Sequence, residues 1–210
     1  MRILITTGIY PPDIGGPAQY AKELNRAFKR AGHTVVVKTY RTEKHLPSVI
    51  RHIFFFFKII SAVLSSDTII VLDTLSVGLP TVFASKIFGK KTILRTGGDF
   101  LWEQYVERTK KKVLFKDFYG TEMNNLSKKE RIIFFLTRWT LGHSTKVIFS
   151  TQWQKDIFIR AYGLNISKMG IIENYYGIKS LYTKTVEKPF VFVASTRNLV
   201  WKNHFILEKA

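Results

Sequence analysis

The chain has 210 residues, 46% hydrophobic and 23% charged, enough apolar side chain to build a packed core and too much for a disordered tail, a collagen-like fibre or a low-complexity segment. With no cysteine, a disulfide scaffold, a thiolate metal site and a cysteine nucleophile are excluded. Lys and Arg number 33 against 15 Asp and Glu, a formal charge of +18 that favours an anionic partner: nucleic acid, a phosphorylated ligand or an acidic membrane.

The positive charge is spread along the chain rather than gathered in one arm. Its densest cluster is Arg108, Lys110, Lys111, Lys112 and Lys116, followed by Lys128, Lys129 and Arg131. The N-terminal apolar run Ile3–Ile5 is short and leads into Thr6-Thr7-Gly8 and then Pro11-Pro12, the pattern of a first strand and a loop rather than of a signal peptide. The longest apolar stretch, Ile53–Leu64, is interrupted by Lys58 and falls short of the ~20 residues a bilayer span needs. The expectation is a cytoplasmic protein with a peripheral place at the inner face of the cell membrane.

Strands and helices alternate. Arg2–Thr7 reads as a buried strand. Pro17–Ala31 reads as a helix, with Ala21, Leu24, Phe28 and Ala31 on one stripe and Gly32 as its stop. Thr34–Tyr40 is the second strand and Val49–Leu64 a second, very apolar helix. Thr68–Leu72, Val77–Phe88 and Thr92–Arg95 follow as strand, helix and strand. Residues 99–130 read as basic and less regular, and Arg131–Leu141 as a helix. Lys146–Phe149, Gln152–Tyr162 and Lys168–Ile172 make a further strand, helix and strand. Residues 174–188 have no apolar period and read as a linker, after which Phe190–Ala194 starts a new strand and a helix begins near Asn203. Continuous apolar strands alternating with helices predict an α/β fold: a Rossmann-like parallel sheet with helices on both faces. Residues 1–188 form that domain with its linker, and 189–210 the start of a second, truncated one.

The loop Tyr10-Pro-Pro-Asp-Ile-Gly15-Gly16-Pro17 joins the first strand to the first helix. Glycines admit a ligand close to the backbone, and the helix N-terminus offers free N–H groups and a partial positive charge, so a diphosphate is the natural guest; a tight turn without a ligand is the plainer alternative. The dinucleotide fingerprint and the Walker spacing are both absent, and the second strand ends in Tyr40-Arg41 instead of an acid for a ribose hydroxyl.

Three stretches, Ile9–Val37, Ile93–Glu103 and Phe190–Asn203, together resemble the family 4 glycosyltransferases, which have the GT-B fold of two facing Rossmann-like domains. Asp73–Pro80 and Ile171–Asn174 are similar to further family positions. The resemblance implies that this chain is the N-terminal, acceptor-side half of such a fold plus the start of the donor domain. It implies a retaining transferase that moves a sugar from a nucleotide-sugar donor to an acceptor hydroxyl, the acceptor attacking from the leaving group's side. Arg197 and Lys202 then contact the donor diphosphate, and Gly15, Gly16 and Asn174 belong to the substrate-binding set. Gly97 or Gly98, followed by Asp99, stands where many members carry a histidine. Asp99 either orients acceptor or sugar, or caps a helix starting near Phe100.

Bond cleavage leaves negative charge on the diphosphate. The chain shows no acidic cluster with metal-ligand spacing, so no cofactor or metal is expected and Arg197, Lys202 and the Gly16 N–H are assigned to stabilise that charge. Four consecutive phenylalanines, Phe54–Phe57, cover all sides of a helix, so one or two of them cannot face the sheet. They pack against core and a domain interface, or they touch a membrane with Arg51, His52 and Lys58 near headgroups. Combined with the charge, the second reading points to a glycan or lipid-linked acceptor at an anionic membrane surface. The alternative to an enzyme is a non-catalytic basic module docking anionic membrane or nucleic acid. Nucleic acid is the less favoured partner: Trp102, Tyr105, Phe115, Phe118 and Tyr119 interleave with the basic cluster, yet no RNA-binding motif accompanies them.

Overall fold

The structure, a computed structural model, describes residues 1–174 and 199–202. Six strands form one parallel sheet: β1 (Arg2–Thr7), β2 (Thr34–Thr39), β3 (Thr68–Val71), β4 (Thr92–Thr96), β5 (Lys146–Phe149) and β6 (Met169–Ile171), in the order β2-β1-β3-β4-β5-β6. Among the described residues seven α-helices lie between or beside them: α1 (Gly16–Arg30), α2 (Ser48–Ser65), α3 (Gly78–Ile87), α4 (Phe100–Thr109), α5 (Phe115–Thr121), α6 (Lys128–His143) and α7 (Gln152–Tyr162). The Rossmann-like α/β arrangement expected from the alternation is what the chain adopts.

Handedness decides which face each helix covers. The step from β1 to β2 goes one way along the sheet and every later step goes the other, so right-handed crossovers put α1 alone on one face. Alternate strand residues confirm it. Ile3, Ile5 and Ile70 pack against Leu24 and Phe28 of α1. Their neighbours Leu4, Ile69, Val71 and Leu94 pack with Phe55 of α2, Val82 of α3, Leu141 of α6 and Phe158 of α7 on the opposite face. The main core therefore sits under α2, α3, α6 and α7.

Two expectations need correction. Residues 99–130 are ordered as α4, α5 and a short 3-10 turn, held by a satellite core of Leu101, Tyr105, Phe118, Leu126 and Ile133. The basic surface of this stretch masks its apolar period. Helix α6 starts at Lys128 rather than Arg131, because Ser127 and Glu130 form a capping box that turns Lys128-Lys129 into a first turn. The strand Phe190–Ala194, the helix from Asn203, most of the linker and Arg197 lie outside the described residues. The 3-10 turn Val200–Lys202 is described and rests on α4, with Trp201 5.9 Å from Trp102 and the Val200 N–H donating to Glu107 at 2.8 Å.

Candidate functional site

In an open parallel sheet the crevice opens at the carboxyl ends of the strands where the connection reverses direction, here between β1 and β3. The loops after β1, β3 and β4 meet there. The loop after β1 holds a cis Pro11-Pro12 bond and ends at Gly15, whose φ of +149° favours glycine. No side chain caps the N-terminus of α1, and a Cβ at Gly16 would have nothing within 4 Å. The Gly15-Gly16 turn thus presents backbone N–H groups and the helix dipole to open space.

The loop after β3 closes against the start of the β1 loop at Gly8. A Cβ at Gly8 would lie 3.5 Å from Asp73 Oδ2, and the Leu75 N–H donates to Asp73 Oδ1 at 2.7 Å. Burial pushes the Asp73 carboxyl up from the usual carboxylate range, against the stabilising bonds it accepts from Leu75, Ser76 and Gly78. Gly78 approaches the Asp73 carbonyl so closely that a Cβ would stand 2.2 Å from its oxygen. This glycine makes the turn into α3 possible.

Strand β4 delivers the cation of the site. Ile93 and Arg95 share the α1 side of the sheet, since Leu94 between them lies in the opposite core. The Arg95 guanidinium lies 3.9 Å from the ring centre of Tyr20 on α1, and its Nη2 donates to Asn174 Oδ1. Its Nε is buried with no partner among the described residues. Arg95 therefore joins the carboxyl end of β4, the first turns of α1 and Asn174 in the segment after β6.

Asp99 is placed as a helix cap. Its Oδ1 accepts the Trp102 N–H at 2.9 Å, opening α4, and its Oδ2 accepts the Tyr119 hydroxyl. With its proton so committed, Tyr119 accepts in turn from Tyr162 at 2.6 Å. Asp99 is only 4% exposed, and burial raises its carboxyl pKa despite these bonds. Of its two readings the capping one is present, with the carboxylate directed inward. Beside it, the Glu103 carboxylate overhangs Gly98: a Cβ there would stand 2.8 Å from Glu103 Oε1.

The expected site residues thus separate. Gly15, Gly16 and Asn174 come to one edge, linked through Tyr20 and Arg95. Asp99 lines the interior of the neighbouring helix layer. Lys202 lies on the α4 side, its ammonium 4.3 Å from the ring of Trp201, and Arg197 lies outside the described residues. Sequence reasoning passed over Arg95 and Tyr20. The available signal was an arginine at the end of an otherwise apolar strand, where it must leave the sheet at the carboxyl edge.

Two other groups are corrected by their placement. Tyr105 and Phe118 are fully buried and Trp102 hydrogen-bonds the Val113 carbonyl at 3.0 Å, so these rings form satellite core instead of a stacking platform. Lys58 turns inward, donating to buried Glu43 at 2.7 Å and to the Thr39 carbonyl at 2.9 Å, and the Arg51 guanidinium lies 5.8 Å from the ring of Tyr40. Lys58 does not face outward with the phenylalanines. No family model matches the chain, and no curated protein matches it either.

Proposed function

We propose that the carboxyl-edge crevice binds the diphosphate of a nucleotide-sugar donor and that the protein is a retaining glycosyltransferase, as the family 4 resemblance implies. The observation that carries this reading is the uncapped Gly15-Gly16 N-terminus of α1 beside the Arg95 cation, at the switch point of a parallel sheet. The acceptor is a hydroxyl on a lipid-linked or membrane-surface glycan. As the acceptor oxygen bonds to the anomeric carbon, the bond to the diphosphate breaks and its electron pair stays on phosphate oxygen. The acceptor proton passes to that oxygen on the same face of the sugar. The Gly16 N–H and the Arg95 guanidinium offset the developing charge, with Arg197 the further cation that the resemblance implies, a preorganised electrostatic role that requires no strong base.

Calorimetric titration tests the crevice. Nucleoside diphosphates and nucleotide sugars are expected to bind, with Arg95→Ala weakening them about tenfold or more. Nucleoside diphosphates that fail to bind, or that bind Arg95→Ala as well as the parent, would remove the site. Sugar transfer to a lipid-linked acceptor is expected to fall by ~10²–10³ in Arg197→Ala, the scale of losing one preorganised donor to a developing anion.

A further inference from the structure

The outer surface of the α2–α3–α6 layer is unusually apolar. Phe55 is buried in the core, while Phe54 and Phe57 on the same helix are 61% and 65% exposed. Ile53 and Phe83 are also about half exposed, and Phe135 on α6 is 63% exposed. Between the three helices runs an open groove of ≈ 550 Å³ lined by Ile53, Phe56, Phe57, Phe83, Leu136 and Trp139. Scattered exposed apolar residues are ordinary, but a contiguous set along three helices is not.

The groove continues along a ladder of rings. Phe56 meets Phe83 at 5.7 Å, Phe83 meets Trp139 at 6.0 Å, and Trp139 stacks on His143 at 4.4 Å. Trp139 also lines a second groove of ≈ 580 Å³, where Arg138, His143 and Lys168 stand around Phe135 and Gly163. One surface therefore offers an apolar trough that ends in a cationic pocket.

The charge pattern says what covers it. Helices α2 and α3 contain no acidic residue, and the only one in α6 is Glu130, which is 4% exposed and ion-paired with Arg108 at 2.8 Å. Exposed Lys86, Lys128, Lys129, Arg131 and Arg138 lie on the same helices. A second copy docked through this face would set cations against the same cations, since a two-fold interface pairs a patch with itself. An anionic bilayer supplies both complements, acyl chain for the trough and phosphate for the cations. Among the described residues no helix is long and apolar enough to cross a membrane.

We infer that the α2–α3–α6 face is a monotopic docking surface for an anionic phospholipid bilayer, with Phe54, Phe57 and Phe135 entering the interface and Arg138, His143 and Lys168 receiving a lipid phosphate. This inference stands on residues separate from the carboxyl-edge crevice and needs no sugar donor.

Vesicle co-sedimentation tests it. The protein is expected to pellet with vesicles of mixed phosphatidylcholine and phosphatidylglycerol and much less with phosphatidylcholine alone. Raising salt from ~0.1 to ~0.5 M should weaken but not abolish binding, because the apolar contact is unscreened. Phe57→Glu and Phe135→Glu, at exposed positions and with unchanged circular dichroism, should each lower binding about tenfold or more and make the remainder fully salt-sensitive. Arg138→Glu with Lys168→Glu should erase the preference for the anionic lipid. Equal binding to both vesicle types, or unaltered binding by the Phe variants, would overturn the inference. So would a concentration-dependent dimer that Phe57→Glu dissolves while vesicles stay unbound, which would assign the face to a second copy.

Discussion

The guanidinium carbon of Arg95 lies 3.9 Å from the ring centre of Tyr20, tying the carboxyl end of strand β4 to helix α1. The pair fixes a cation beside an uncapped helix N-terminus without neutralising it, since Asn174, its other partner, is uncharged. Tyr20→Leu should destabilise the fold by about 1 kcal/mol through loss of the cation–π contact, whereas Tyr20→Phe should be close to neutral. Urea unfolding of the two variants checks this. Equal losses would mean that Arg95 is held by Asn174 and the backbone alone.

Gly78 and Gly16 should respond oppositely to the same substitution. At Gly78 a methyl group would meet the Asp73 carbonyl, which is backbone and cannot swing aside. Gly78→Ala is expected to cost about 3 kcal/mol, at the upper end for overpacking. At Gly16 the space is empty, and Gly16→Ala should change stability by less than about 1 kcal/mol. The same methyl stands where the proposed diphosphate approaches, so binding of nucleoside diphosphates should weaken while the melting temperature holds. A Gly16→Ala protein that binds them unchanged would place the ligand elsewhere.

Asp99 and Asp73 should impose a pH slope. Burial raises both carboxyl pKa values, so the folded state keeps its protons to a higher pH than the unfolded chain does. Between the ordinary carboxylate range and the raised values the folded state binds more protons, and stability declines as pH rises. Asp99→Asn removes the charge and keeps one oxygen acceptor for the Trp102 N–H, while an NH2 donor replaces the oxygen that accepts from the Tyr119 hydroxyl. Its stability should therefore fall less steeply than the parent's as the pH rises above the ordinary carboxylate range, with Asp73 still contributing to the slope that remains. Denaturant midpoints across that rise measure it; parallel curves would show that Asp99 does not titrate there.

Glu122 works in the other direction. Hydrogen bonds from Tyr105, then Lys111 and Asn125, lower its carboxyl pKa to about 2. A lowered value means that its contribution is present above the ordinary carboxylate range and is lost as the pH falls toward 2. Glu122→Gln should be less stable than the parent at neutral pH, and the gap should close on acidification. A gap that persists at the acid end would show that the loss is one of packing.

Much of the architecture follows from patterns that are local in the chain. Continuous apolar runs such as Arg2–Thr7 and Thr68–Val71 form strands buried on both faces, and helical stripes between them require parallel connections. The Phe54–Phe57 run could be counted against the circumference of a helix, and two of its rings are indeed left outside. Gly15-Gly16 was legible because a glycine pair at a helix start has a physical meaning without any neighbour.

The tertiary structure decided what depends on distant partners. Arg95 meets Tyr20 and Asn174 across 75 and 79 positions of sequence, Asp99 finds Tyr119, and Lys58 turns to Glu43 because the 3-10 turn before α2 brings that acid beneath it. The order inside residues 99–130 was hidden for the same reason: its apolar residues pack across three helices, while the charges that dominate its sequence point to water. Periodicity reports which side of an element is apolar; only folding brings that side against a particular neighbour and settles whether a charged end meets a ring, a carboxylate or solvent.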